Sequence, residues 1–122
     1  MAIDNFITRY TQPVIELLNG ARAFLLNAYP ELVEELDEPS RIIVYRIAAR
    51  NEGIVFTLIP SSTGVKLGFY RGRALPDPAG LMQGSGKVHT TIPLTAELLE
   101  NPQLKELVLS AKQSARERNT RR

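Results

Sequence analysis

Apolar residues in the first quarter of the chain recur at the three- and four-residue spacing of an α-helix. Thr11 suits an N-cap and Pro13 is tolerated in a first turn, while Pro30 disfavours helical geometry just before it. One long helix is therefore predicted, after a short one over IDNFITRY. Its apolar stripe, predicted to be buried, contains Val14, Leu17, Leu18, Ala21, Phe24, Leu25 and Ala28.

The apolar spacing changes to two after Pro39. The segments RIIVYRIA, GIVFTLI and GVKLGFY are rich in β-branched and aromatic residues and are joined by turn-type residues. They predict three consecutive antiparallel strands, and KVHTTIPL predicts a fourth. Thr95 and Asn101 then suit helix N-caps, and Pro102 suits a first helical position. The last helix is predicted to bury Leu104, Leu107, Val108, Ala111 and Ala115.

This order of helices, strands and helices predicts the α+β fold class. We expect an antiparallel sheet of about four to six strands packed against N- and C-terminal helices, because the first three strands lack the helical crossovers that parallel strands need. No internal repeat or linker interrupts the pattern, so residues 1–122 are predicted to form a single domain.

Composition and charge narrow the classes of function. The 122 residues include no cysteine, which excludes disulfides, thiolate metal ligands and a cysteine nucleophile. The net charge is +2, but charge is unevenly distributed along the chain. Residues 1–40 carry a formal charge of −5 and residues 41–122 one of +7. No apolar run approaches the ~20 residues of a membrane helix, and the first residues do not resemble a signal peptide. We therefore expect a cytoplasmic protein with no membrane partner.

A long segment without clear periodicity, residues 71–86, separates the third and fourth predicted strands. Segments of this length are uncommon in compact domains unless they are functional or disordered. Leu75, Leu81 and Met82 supply apolar anchors, and PDPAG supplies turn chemistry. We therefore predict an ordered loop that packs onto the domain.

The stretch 66–89 around this loop is cationic and rich in glycine. GSGK leads into a strand instead of a helix, and its spacing differs from that of the phosphate-binding P-loop, so that motif is excluded. A looser anion site is predicted, with backbone N–H groups near cationic side chains. Its candidate residues are Arg71, Arg73, Lys87 and His89. The alternative is that the glycines only turn the chain and the cations are solvated.

Three segments, LGFYRG, LPDPAGL and GSGKVH, resemble the YdhG-like family of small bacterial domains of unknown function. The order of predicted elements follows that family over most of the chain. The resemblance implies an α+β fold related to frataxin-like and iron-chaperone-like domains. It also implies a role as an intracellular iron carrier.

An iron site would need hard oxygen ligands, since no thiolate is available. The segment PELVEELDE is predicted to be helical, with Pro30 in its first turn. Its carboxylates then fall at the spacing of one helix face: Glu31, Glu34, Glu35 and Glu38. These are the candidate metal ligands. The alternative is a solvated helix face opposite Leu32, Val33 and Leu36.

The remaining patterns favour a binding protein over an enzyme. Ser85 lies near His89 in sequence, but GSG here is not the strand–turn–helix elbow of hydrolases, and no third orienting group is evident. The basic C-terminal tail has few aromatic residues near it, so nucleic-acid binding is not favoured. We interpret the chain as a small binding protein, with iron as the candidate cofactor. The alternative is an anionic-ligand or protein-interaction module using the loop 66–89. Homodimerisation through an uncovered sheet face or edge stays open.

Overall fold

The computed structural model describes residues 2–48, 53–71, 75 and 89–120. The helices and strands are α1 (Ala2–Ile7), α2 (Gln12–Ala28), β1 (Val33–Asp37), β2 (Ile42–Arg46), β3 (Ile54–Pro60), β4 (Val65–Tyr70), β5 (His89–Pro93), α3 (Ala96–Leu99) and α4 (Pro102–Thr120). The predicted α+β class, with an antiparallel sheet between N- and C-terminal helices, is confirmed.

The five strands form one sheet in chain order, β1-β2-β3-β4-β5, and every neighbouring pair is antiparallel. Cross-strand partners share a face of a sheet, so the register shows which side chains face the helices. Tyr45, Phe56 and Phe69 lie in one such row, and the two phenyl rings meet edge to face at 5.5 Å. All three are fully buried in one hydrophobic core with residues of α2 and α4.

The helix boundaries follow the predicted caps. Thr11 is the N-cap residue of α2. The Thr95 side chain accepts a hydrogen bond from Leu98 N at 3.0 Å to begin α3. The Asn101 side chain accepts one from Gln103 N at 2.8 Å to begin α4. Among the described residues, no helix is both long and apolar enough to cross a membrane.

The two long helices bury most of their predicted stripes. In α4 all five predicted residues are buried: Leu104, Leu107, Val108, Ala111 and Ala115. In α2, Leu18, Ala21 and Leu25 are buried, but Leu17 and Phe24 are only half-buried. The predicted stripe of α2 is therefore two adjoining faces, one in the core and one at the surface.

The segment PELVEELDE does not form the predicted helix. Residues 33–37 are the edge strand β1 and pair along their whole length with β2. Strand side chains alternate between faces, so Glu34 and Leu36 lie toward the helices while Val33 and Glu35 face away. In so short a segment the apolar residues fit either the helical or the strand spacing. Pairing with β2 then satisfies the backbone groups along one side of β1 without a helix.

Glu34 ties this edge strand to α2. Its carboxylate accepts hydrogen bonds from Arg22 Nε at 3.0 Å and Arg22 Nη2 at 3.2 Å, and the Tyr45 hydroxyl donates to it at 2.6 Å. Burial is the largest single influence and raises the pKa of Glu34, but the hydrogen bonds from Arg22 and Tyr45 and the charge of Arg22 together outweigh it. The pKa of Glu34 therefore lies below its ordinary value, and the folded protein holds this carboxylate ionised.

We expect Glu34→Gln to destabilise the protein by about 2 kcal/mol at pH 7, because it weakens charge-assisted bonds in a largely buried site. Glu35→Gln is the matched control. Its side chain lies on the other face, is 51% exposed and pairs with Arg46, so its loss should cost less than ~0.5 kcal/mol. Urea unfolding of both variants measures the difference. Equal costs would contradict the alternating faces of β1.

The Glu34 contribution should also depend on pH. Because folding lowers the pKa of Glu34, the stabilisation is present above the unfolded pKa, near 4.3, and is lost as the pH falls through the folded value. The stability gap between wild type and Glu34→Gln should therefore narrow on acidification. If the difference in the free energy of unfolding between the two proteins is unchanged at pH values below the unfolded pKa, the charge on Glu34 is not the cause of that difference.

Candidate functional site

The described part of the cationic loop holds two of the four predicted anion-binding residues. His89 begins β5 opposite Tyr70, the last residue of β4, and Arg71 follows directly. The structure thus brings the backbones of Arg71 and His89 to one end of the β4–β5 pair. Arg71 is exposed, and its guanidinium carbon lies 5.5 Å from the centroid of the Tyr70 ring. Arg73 and Lys87 lie outside the described residues.

The predicted packing of this loop is confirmed at one of its three anchors. Leu75 is half-buried and packs against the hydrophobic core. The other two anchors, Leu81 and Met82, lie outside the described residues.

The four predicted metal ligands are separated, because β1 is a strand. Each carboxylate pairs with a different arginine: Glu31 with Arg116, Glu34 with Arg22, Glu35 with Arg46 and Glu38 with Arg9. The hydrogen bond from Arg116 is the main reason that the pKa of Glu31 is lowered. In the part of the chain that the structure describes, no group of three or more acidic or histidine side chains could hold a metal ion. The iron site stays a prediction, but its premise of a single helix face was wrong.

A groove of about 570 Å³ lies between α2 and α3. Residues from α2 form one wall: Pro13, Glu16, Leu17, Gly20, Ala23, Phe24 and Asn27. Residues of α3 and its C-cap form the other: Ala96, Leu99 and Glu100. We call this feature the α2–α3 groove. Its size and its mainly apolar lining are those of ligand-binding clefts in proteins.

Gly20 lets the two helices approach each other at the groove. A Cβ atom at this position would lie 3.3 Å from Leu99 Cδ1, tighter than most carbon contacts. A glycine inside a helix costs up to about 1 kcal/mol in helix propensity. The close approach of α3 therefore explains why glycine, although unfavourable inside a helix, occupies this position.

The side chains that flank Gly20 along α2 were predicted to be buried. Leu17 and Phe24 touch the core but also line the groove beside Leu99. The signal in the sequence was the width of the stripe, since seven apolar residues in less than five turns occupy more than one helix face. These two are the functional candidates that sequence reasoning missed.

The rim of the α2–α3 groove is acidic. Glu16 accepts a hydrogen bond from the neutral Gln12 amide at 3.3 Å. Within the described ranges, neither Glu16 nor Glu100 forms a salt bridge. A smaller pocket of about 430 Å³ adjoins the groove, shares Phe24 and Leu99 with it, and adds Lys105. The groove is therefore bordered by two carboxylates without a salt-bridge partner in these ranges, and by Lys105 where the smaller pocket adjoins it.

Comparisons with models of protein families, with curated proteins and with solved structures found no match. The resemblance to the YdhG-like family therefore stays a prediction.

Neighbouring leucines of α2 should respond differently to truncation. Leu18 is fully buried, so Leu18→Ala should cost about 3 kcal/mol. Leu17 lines the groove and is half-buried, so Leu17→Ala should cost about 1 kcal/mol or less. Chemical denaturation of both variants measures these costs. A larger loss for Leu17 would place it in the core and remove it from the groove wall.

Proposed function

We propose that this domain is a protein-interaction module whose α2–α3 groove receives a short basic amphipathic segment of a partner protein. The observation that carries the proposal is the pairing of an apolar groove floor with two rim carboxylates that have no cationic partner among the described residues. Such a groove matches the helix-in-groove mode of peptide recognition, in which apolar anchors fill a cleft between helices.

The apolar floor supplies affinity. Leu17, Phe24 and Leu99 are half-buried and line one cleft. An apolar partner side chain gains roughly 1.5–3 kcal/mol when it is fully buried. Two such anchors supply roughly 3–6 kcal/mol, which is comparable with the lower estimates of the cost of association, so we expect a weak complex.

The rim supplies specificity. Glu16 and Glu100 attract lysine or arginine, and they repel an acidic segment. Exposed ion pairs contribute about 0.2–1 kcal/mol each. Charge therefore selects among apolar partners here, and it adds little to the affinity itself.

The two earlier hypotheses have weaker support from the described residues. The iron carrier needs adjacent carboxylates, but its four candidates each pair with an arginine in separate places. The anion site on the loop 66–89 includes Arg73 and Lys87, which lie outside the described residues. By contrast, both walls of the α2–α3 groove are formed by described residues.

A charge-swap titration tests the proposal. Two amphipathic peptides, one of leucine and lysine and one of leucine and glutamate, are titrated into isotope-labelled protein and followed by NMR. We expect saturable shifts along α2 and α3, with tighter binding of the lysine peptide than of the glutamate peptide. Glu16→Lys combined with Glu100→Lys should weaken binding of the lysine peptide by about fivefold and reverse the preference between the two peptides.

The control is Glu106→Lys, an exposed residue of α4 that does not line the groove. It should bind the lysine peptide as wild type does. Light scattering of the free protein is measured alongside. A dimer whose interface buries α2 and α3 would mean that a second copy of the chain fills the groove, and it would overturn the proposal. Peptide binding that is unchanged by the two Glu→Lys substitutions would also overturn it.

A further inference from the structure

A second cavity shares no lining residue with the α2–α3 groove. It has a volume of about 480 Å³ and is formed where three connections meet. These are the α1–α2 junction, the β1–β2 turn and the β3–β4 turn, which contribute Arg9, Tyr10, Thr11, Ser40, Arg41, Ile59, Pro60, Ser61 and Ser62. We call it the turn-end pocket. Its lining contains two arginines and no carboxylate.

Arg9 is held in place by neighbours outside the pocket lining. Its Nη1 donates to Glu38 Oε1 at 2.5 Å, and its guanidinium carbon lies 5.4 Å from the centroid of the Phe6 ring. A guanidinium has five N–H donors, and Glu38 accepts from only one of its nitrogens in this structure. Arg9 is therefore oriented while donors on its other nitrogens stay available.

Arg41 lines the pocket and has an uncommon backbone conformation. Its φ is 57°, in the left-handed region that non-glycine residues rarely adopt. Its backbone N–H is used in the turn and donates to Glu38 O at 3.1 Å. Across the described ranges its guanidinium forms no salt bridge. The turn thus adds to the lining shared with Arg9 a second arginine that has no salt-bridge partner in these ranges.

Hydroxyl-bearing residues share the pocket lining with the two arginines. Ser61 is used by its own turn, where its Oγ accepts from Gly64 N at 3.2 Å. The Thr11 side chain forms no capping hydrogen bond with α2. Ser40 and Ser62 also line the pocket and are exposed. Ile59 and Pro60 are the apolar residues of the lining.

We infer that the turn-end pocket binds a small organic phosphomonoester. Arginine forks match the oxygens of a phosphate group and form charge-assisted hydrogen bonds that are about twice as strong as neutral ones. Hydroxyl groups supply further donors to the remaining oxygens. The cavity has room for more than an inorganic ion, and its apolar residues suit the organic part of the molecule. This site is independent of the α2–α3 groove.

Binding is measured by calorimetry and by NMR with phenyl phosphate and with inorganic phosphate as probes. We expect phenyl phosphate to bind more tightly, with shifts at residues 9–11, 40–41 and 59–62. Arg41→Gly removes the guanidinium, and glycine adopts the same φ without strain. This variant should stay folded and lose affinity for both probes by about tenfold or more.

The control is Arg116→Gln. Arg116 is a half-exposed arginine of α4 that pairs with Glu31 and does not line the turn-end pocket. Its loss should leave phosphate binding unchanged. Three results would each overturn the inference: no binding by wild type, binding that survives Arg41→Gly, and binding that is lost in Arg116→Gln. If phenyl phosphate binds no more tightly than inorganic phosphate, the claim that the pocket recognises the organic part of a phosphomonoester is wrong.

Discussion

One carboxylate joins the edge strand of the sheet to a helix and to the neighbouring strand. Glu34 accepts hydrogen bonds from Arg22 of α2 and from Tyr45 of β2. A largely buried carboxylate is stable only with such partners. This set of contacts is available when residues 33–37 run as a strand beside β2, since only then does Glu34 lie on the helix side with its neighbours facing away. The edge of the sheet, and the turn that follows it, depend on this placement.

The placement of β1 has effects beyond the edge strand. The β1–β2 turn brings Glu38 to Arg9 and presents Arg41 at the turn-end pocket. At the other end of β1, Glu31 pairs with Arg116 of α4, joining the acidic first part of the chain to its basic last part at 2.7 Å. Part of the charge asymmetry of the sequence is therefore balanced within the fold, by a salt bridge between segments that are distant in the chain.

The elements that could be predicted from the sequence are those determined by residues close together in the chain. The long helices, the caps and the strands β2 to β5 follow from residue spacing and turn chemistry, which act over a few neighbours. Prediction from the sequence failed where partners are distant, since nothing near Glu34 indicates that Arg22 will meet it. It also merged two faces of α2, because Leu17 and Phe24 share the helical spacing of the core residues. The left-handed backbone of Arg41 has no local signal, because that conformation usually calls for glycine or asparagine.

The central claim is that residues 33–37 form a strand, and NMR tests it most directly. Backbone NOEs should connect this segment to residues 42–46 in the register that places Glu35 opposite Val44. The carbon chemical shifts of the segment should be those of extended backbone. Sequential helical NOEs over residues 31–38, with none to β2, would contradict the account. They would restore the single acidic helix face and remove the structural basis for the turn-end pocket.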